Sequence, residues 1–174
     1  MKNIISISVI IPVFNSEKTL KVLHDQIVYV LSKMTNQYEI IFVNDGSIDG
    51  SWKEIKKLSE NNIFVLGINL IKNYGQHNAL LCGVRAAKNE IIVTMDDDLQ
   101  HPPEEISKMI DKLNEGYDVI YGSPENEKHG LFRNFASVFT KIALKTTMGV
   151  KIGRYVSAFR VFRTELRDVF QHYH

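Results

Sequence analysis

Apolar residues along this chain fall into two alternating patterns: short continuous runs, and longer stretches with helical spacing. Residues 6–13 form the first run, a strand that ends at Pro12-Val13-Phe14-Asn15. Leu20, Leu23, Ile27, Val30, Leu31 and Met34 then recur every three or four positions, which predicts a helix with Ser16 as its N-cap. Residues 38–44 predict a second strand, closed by the turn signal Asn44-Asp45-Gly46-Ser47. Trp52, Ile55 and Leu58 mark a short helix behind Asp49, and residues 63–70 a third strand followed by Lys72-Asn73-Tyr74-Gly75-Gln76. Over 76–88 the small residues Ala79, Gly83, Ala86 and Ala87 predict a helix packed closely on a sheet. A fourth strand starts at Ile91 and runs into Asp96-Asp97-Asp98. Pro102-Pro103 opens a helix with the stripe Ile106, Met109, Ile110 and Leu113, and residues 117–121 predict a fifth strand.

Strands alternating with helices imply βαβ units, hence an α/β fold with a mostly parallel central sheet flanked by helices. Ligands of such sheets bind beyond the carboxyl ends of the strands. The four polar loops that begin at Phe14, Asn44, Lys72 and Asp96 all follow strands, so they converge on one edge. Beyond Tyr121 the pattern changes. Residues 122–130 read as a polar loop beside that edge, and Phe132, Phe135, Phe139 and Ile142 as the stripe of a basic amphipathic helix. Such a helix either packs on the sheet or, over 131–151, lies on an anionic membrane surface. Residues 156–162 predict a last strand and 164–170 a short helix capped by Thr164. The chain then ends at His174 without a closing element, as expected of a fragment.

Composition adds further constraints. At 174 residues, 44% hydrophobic and 24% charged, the chain suits one domain with a sizeable core. A single cysteine, Cys82, excludes an internal disulfide and reads as a buried thiol. No run approaches a membrane span, and the serines alternating through the first run mark a core strand rather than a leader. The expected location is therefore cytoplasmic. The net charge of +1 hides an asymmetry: residues 1–127 hold 12 basic and 18 acidic side chains, and residues 128–174 hold 9 and 2. A basic end suggests an anionic partner.

The acid triplet carries the candidate chemistry. Three consecutive carboxylates at a strand end repel one another, and no Lys or Arg lies between Glu90 and Lys108. A solvated acidic loop is the plain explanation, but the convergence of four loops favours a divalent cation, which takes carboxylate oxygens and bridges to phosphates. Gly-x-x-x-x-Gly-Lys-Ser/Thr, Gly-x-Gly-x-x-Gly and Gly-x-Ser-x-Gly are all missing, which argues against P-loop, dinucleotide and serine-hydrolase chemistry. Metal-assisted transfer from a diphosphate-activated donor remains. In an extended turn Asp96 and Asp98 share a side and can share an ion, with Asp97 pointing away.

The residues also resemble a known family. Residues 8–15, 38–50, Asn73-Tyr74-Gly75-Gln76, residues 94–104, residues 117–122 and Phe159-Arg160 are similar, in order, to family 2 glycosyltransferases with the glycosyltransferase A fold. The polyprenyl-phosphate branch, which includes the dolichyl-phosphate mannosyltransferases, matches best. The resemblance implies one glycosyltransferase domain over 1–174, with a nucleotide-sugar-binding half at 1–122 and an acceptor-side segment at 123–174. It implies an inverting, metal-dependent enzyme moving a sugar from a nucleotide diphosphate, UDP foremost, to a polyprenyl phosphate or a glycan, in cell-surface polysaccharide or glycolipid synthesis. A nucleic acid is not among the expected partners. Pro12, Val13 and Phe14 would line the base pocket, Asp45 would bond the base, and Lys72 and Arg160 would serve substrate binding. Asp96 would contact the donor, Asp98 would hold Mg²⁺ or Mn²⁺, and these two acids form the catalytic pair. Asn15 and Gln76 would hold loops, and Trp52 and His77 would be structural. One departure stands out: Ala158 occupies the place of an acid near the acceptor. With the abrupt end, it keeps open a second possibility, a non-catalytic fragment that binds nucleotide or membrane.

Overall fold

A computed structural model describes residues 5–122 and 158–167. The segments at 123–157, which include the expected loop and basic helix, lie outside the described residues. The elements run β1 (Ile7–Val13), α1 (Glu17–Met34), β2 (Tyr38–Asn44), α2 (Ser51–Asn61), β3 (Val65–Asn69), α3 (Gln76–Ala86), β4 (Ile91–Thr94), α4 (Glu105–Leu113), β5 (Val119–Tyr121) and β6 (Arg160–Arg163). The six strands form one sheet in the order β3-β2-β1-β4-β6-β5. β1 pairs in parallel with β2 and β4, and β2 with β3. β6 enters antiparallel between β4 and β5, so the sheet is mostly parallel, as the alternation predicts.

The continuous apolar runs reflect burial on both faces. Along β1, Ile7, Val9, Ile11 and Val13 pack with Leu20, Leu23 and Ile27 of α1 and Ile106 and Ile110 of α4. Ile10 points to the opposite face, against Ala79, Leu80 and Val84 of α3. Right-handed crossovers account for this division. The chain moves β1 to β2 to β3 in one direction and then returns to place β4 on the far side of β1, so α3 covers the other face. Gly83 makes the small-residue helix work, because a Cβ there would collide with Ile10.

Several boundaries differ from the pattern. β3 is shorter than 63–70 because Ile63 is 93% exposed in the turn that precedes it. Ser16 does sit at the N-cap of α1, yet its side chain makes no cap bond. Thr164 is the first residue of a 3₁₀ turn, Thr164–Leu166, rather than its cap: its hydroxyl donates to the Asn89 carbonyl and its N–H to the Glu90 carbonyl, while residues 168–170 of the expected helix lie outside the described residues. Trp52 packs against the core as expected, whereas His77 is exposed in the first turn of α3. Cys82 is half-buried, and burial pushes its thiol pKa up.

Candidate active site

β1 and β4 are neighbours although three βα units separate them in sequence, so the sheet order reverses between them. A crevice at such a reversal is where open α/β sheets bind ligands. Here it is a cleft of about 370 Å³, within the size of small-molecule sites. Pro12, Val13 and Phe14 line it from β1, Asp45 from β2, Asn73, Gly75 and Gln76 from the β3–α3 loop, and Asp96, Asp97 and Asp98 from the end of β4.

The β1–α1 and β2–α2 loops are tied to each other. Asn15 takes a left-handed φ of 57°. Its N–H donates to Ser47 Oγ at 3.0 Å, and its side-chain oxygen accepts the Ile48 N–H at 2.9 Å. Next to it, the Ser16 N–H donates to Ser51 Oγ. The two helix starts then cap each other: Asp49 accepts the Glu17 N–H, and Glu17 accepts the Gly50 N–H. Asp49 also accepts the backbone N–H and hydroxyl of Ser51. Desolvation alone would raise the Asp49 carboxyl, but the Ser51 and Glu17 bonds win and hold it below its ordinary value. Asn15 therefore holds loops together, as expected.

Asp45 is 3% exposed, and its carboxylate accepts the Tyr74 N–H at 2.7 Å and the Gly75 N–H at 2.9 Å. It thus shapes the β3–α3 loop, and a base contact would use its remaining lone pairs. Gly46, at φ 69°, lets this loop approach, since a Cβ there would meet the Lys72 and Asn73 backbone.

The acids divide differently from the extended-turn expectation. Regular strand ends at Thr94, and Leu99 takes a left-handed φ of 63°, so period-two alternation does not carry through the triplet. Asp97 turns inward: its Oδ2 accepts the Phe14 N–H at 3.2 Å and the Ser16 hydroxyl at 2.5 Å. Asp96 accepts the Gln76 amide N–H at 2.6 Å, so Gln76 touches the triplet directly, and Asp98 is exposed, with Oδ1 accepting the Gln100 N–H. Burial pushes the Asp96 carboxyl up, the neighbouring Asp98 charge adds to this, and His101 and Arg160 oppose it. Burial also raises Asp97, against the Ser16 and Phe14 bonds.

Lys72 and Arg160 do not line the cleft. The Lys72 ammonium lies 5.2 Å from the Tyr74 ring centroid, and the Arg160 guanidinium 5.5 Å from that of Tyr121. Ala158 lies beside the triplet, where its carbonyl accepts the Thr94 hydroxyl at 2.6 Å. His101, its ring tilted 33° against that of Phe159 with centroids 5.2 Å apart, joins the surroundings of Asp96 without a sequence signal beyond its place after the acids.

Among the described residues no three His, Cys, Asp or Glu side chains form a ready metal cage. The donor set still fits a hard cation that keeps most of its shell for water and phosphate oxygens. It offers clustered carboxylates, with Asp96 held against its preference for charge. Among the described residues no helix is long and apolar enough to cross a membrane.

The model of glycosyl transferase family 2 matches residues 8–170. The undecaprenyl-phosphate 4-deoxy-4-formamido-L-arabinose transferase of Yersinia pestis is 34% identical over 169 residues, which are 97% of this chain and 52% of that protein. The chain thus spans about half the length of the curated relatives it matches. A Pyrobaculum calidifontis mannosyltransferase, solved with GDP-mannose and Mn²⁺, superposes with a TM-score of 0.69 at 16% identity, over 97% of this chain and 47% of its own. The Mycobacterium tuberculosis glucosyl-3-phosphoglycerate synthase, solved with Mn²⁺, UDP-glucose and phosphoglyceric acid, also reaches 0.69, at 18% identity over 92% and 57%.

Proposed function

Because the chain belongs to glycosyl transferase family 2, with the glycosyltransferase A fold, we propose that it is the donor-binding part of an enzyme that moves a sugar from a nucleotide diphosphate to a polyprenyl phosphate. In this reading a phosphate oxygen of the acceptor attacks the anomeric carbon from the face opposite the diphosphate. The bond to the nucleoside diphosphate breaks, its electron pair leaves with the diphosphate, and configuration inverts. The acceptor is already anionic, so attack needs no carboxylate base. That agrees with Ala158 at the position where a hydroxyl acceptor would want an acid.

The observation that carries the reading is the convergence of the β1 end, the Asp45-braced loop and all three acids on one cleft at the sheet's reversal point. The Yersinia relative is named for an undecaprenyl-phosphate acceptor, and this suggests the acceptor class. Pro12, Val13 and Phe14 would receive the base and Asp96 the ribose or diphosphate side. Asp98, the most exposed acid of the cleft, would hold Mg²⁺ or Mn²⁺. A bound divalent ion would neutralise charge developing on the leaving diphosphate. Lys72 and Arg160 would serve substrate binding, Arg160 through the positive charge it already presents to Asp96. We assign residues 1–122 to the donor half, 123–174 to the acceptor side, and the protein to the cytoplasmic face of a membrane, with 131–151 as its anionic-lipid contact. UDP and GDP are the nucleotides to test first, since one solved neighbour holds UDP-glucose and the other GDP-mannose.

Titration calorimetry with UDP and with GDP, each with and without Mn²⁺, tests this. UDP is expected to bind more tightly with Mn²⁺, and Asp98→Ala to abolish that gain. No nucleotide binding, or a metal effect that survives Asp98→Ala, overturns the donor-site assignment. A separate arm follows label from a UDP-sugar into undecaprenyl phosphate. Nucleotide binding without transfer, in a chain extended to the relatives' full length, would favour the non-catalytic reading.

A further inference from the structure

Asp97 is the acid for which the transfer mechanism has no use, yet its side chain makes the specific contact between the two sides of the cleft. Its Oδ2 accepts both the Phe14 N–H and the Ser16 hydroxyl, across a sequence separation of more than eighty residues. Ser16 has one hydroxyl proton and two acceptors in reach. The 2.5 Å contact to a carboxylate outcompetes the 3.2 Å contact to the Phe14 carbonyl, because a charged acceptor makes the stronger bond. This explains why Ser16 stands at the N-cap of α1 without capping it. Between the two bonded residues lies Asn15, whose left-handed backbone is held from the other side by Ser47 and Ile48. The tripeptide Phe14-Asn15-Ser16 is thus gripped from both flanks, while Phe14 is 49% exposed at the cleft.

Resting on the donor-site reading above, we propose that Asp97 is a positioning residue that holds the β1–α1 loop in its nucleoside-receiving shape and ties that shape to the acid loop. It acts on the nucleoside end of the donor through Phe14 and Ser16, and it is not a ligand of the metal on the diphosphate end. A donor would then be measured between two ends of one connected frame, Phe14 at one and Asp98 at the other.

The test uses UDP in EDTA as the probe of the nucleoside end, and inorganic diphosphate with Mn²⁺ as the probe of the metal end. Asp97→Ala is expected to weaken metal-free UDP binding about tenfold, the effect of losing a charge-assisted hydrogen bond. Asp97→Asn is expected to restore most of it, since an amide oxygen can accept the same two bonds. Diphosphate binding with Mn²⁺ is expected to stay as in the parent. If Asp97→Ala binds UDP as the parent does, or loses diphosphate–Mn²⁺ binding in the same proportion as UDP, the proposal is overturned. Should Asp97→Ala fail to fold, Ser16→Ala removes the hydroxyl alone. A loss of about threefold in metal-free UDP affinity then supports the clamp, and unchanged affinity refutes it. A parent chain that binds no UDP removes the donor reading and this inference together, whereas equal binding by parent and variants removes the inference alone.

Discussion

Five hydrogen bonds join the β1–α1 loop to the β2–α2 loop, all of them between backbone N–H groups of one loop and side chains of the other. Across the cleft the β4–α4 loop instead gathers three carboxylates, two of which are pushed by burial away from the charged form. The first side ties its polar groups to one another, with the buried Asn44 Oδ1 as an exception. The second meets Gln76, Ser16, Phe14 and Gln100, but its charge calls for a cation. A site built this way has a preformed end for the neutral part of a ligand and an end completed by what binds. Preorganisation on one side lowers the ordering cost of binding. The charge on the other is what the proposed divalent ion would offset.

The largest effect should come from the braced side. Gly46→Ala forces a left-handed φ on a residue with a Cβ and drives that Cβ into the Lys72 and Asn73 backbone. Urea unfolding should show a loss of about 3 kcal/mol. A variant as stable as the parent would mean that the β2–α2 loop is not held against the β3–α3 loop, so this side of the cleft is less braced than the contacts indicate. Asp49→Ala comes next. It uncaps α2 and strands the Glu17 N–H of α1, for a loss of about 1–2 kcal/mol. Its carboxyl lies below the ordinary value, so its contribution is present above the unfolded pKa and disappears as pH falls through the folded one. Acid unfolding curves of parent and Asp49→Ala should therefore converge at low pH.

Most of the architecture was legible because it rests on periodicity. The apolar runs at β1, β2 and β4 and the stripes of α1 and α4 are consequences of two-faced burial, and they appear at the expected places. The reversal of sheet order between β1 and β4 places Val13 beside the acids, and general rules for open sheets anticipate that neighbourhood. The roles within the cleft were less legible, because they depend on loop backbone. Alternation predicts Asp97 facing away, but regular strand ends at Thr94, three residues earlier, and the left-handed Leu99 redirects the chain. Gln76 is far from Asp96 in sequence, and only the fold brings its amide to that carboxylate. The family resemblance implies Asp45 as a base contact, and it lines the cleft, but nothing local marks it as the acceptor of two backbone N–H groups from the β3–α3 loop. Antiparallel β6 was readable as a strand, while its insertion between β4 and β5 was not, since nothing local in Arg160–Arg163 specifies its partners.

The smallest effect is the one that separates the two sides most sharply. Asp96 is raised above its ordinary value, first by burial and then by the Asp98 charge. The folded state therefore holds its proton more tightly than the unfolded state does. Stability must fall as pH rises from the unfolded value of 3.8 through the higher folded value, and remain level beyond it. This slope is opposite in sign to that of Asp49. Asp96→Asn keeps an oxygen to accept the Gln76 amide and removes the charge, so without metal the variant should be more stable than the parent near neutral pH. The gain should vanish at a pH where the parent's Asp96 is protonated. Thermal unfolding in EDTA across that range checks both points. A variant less stable than the parent at neutral pH would show that the charge on Asp96 is satisfied by the protein itself, and the cleft would then have no side left for a cation to complete.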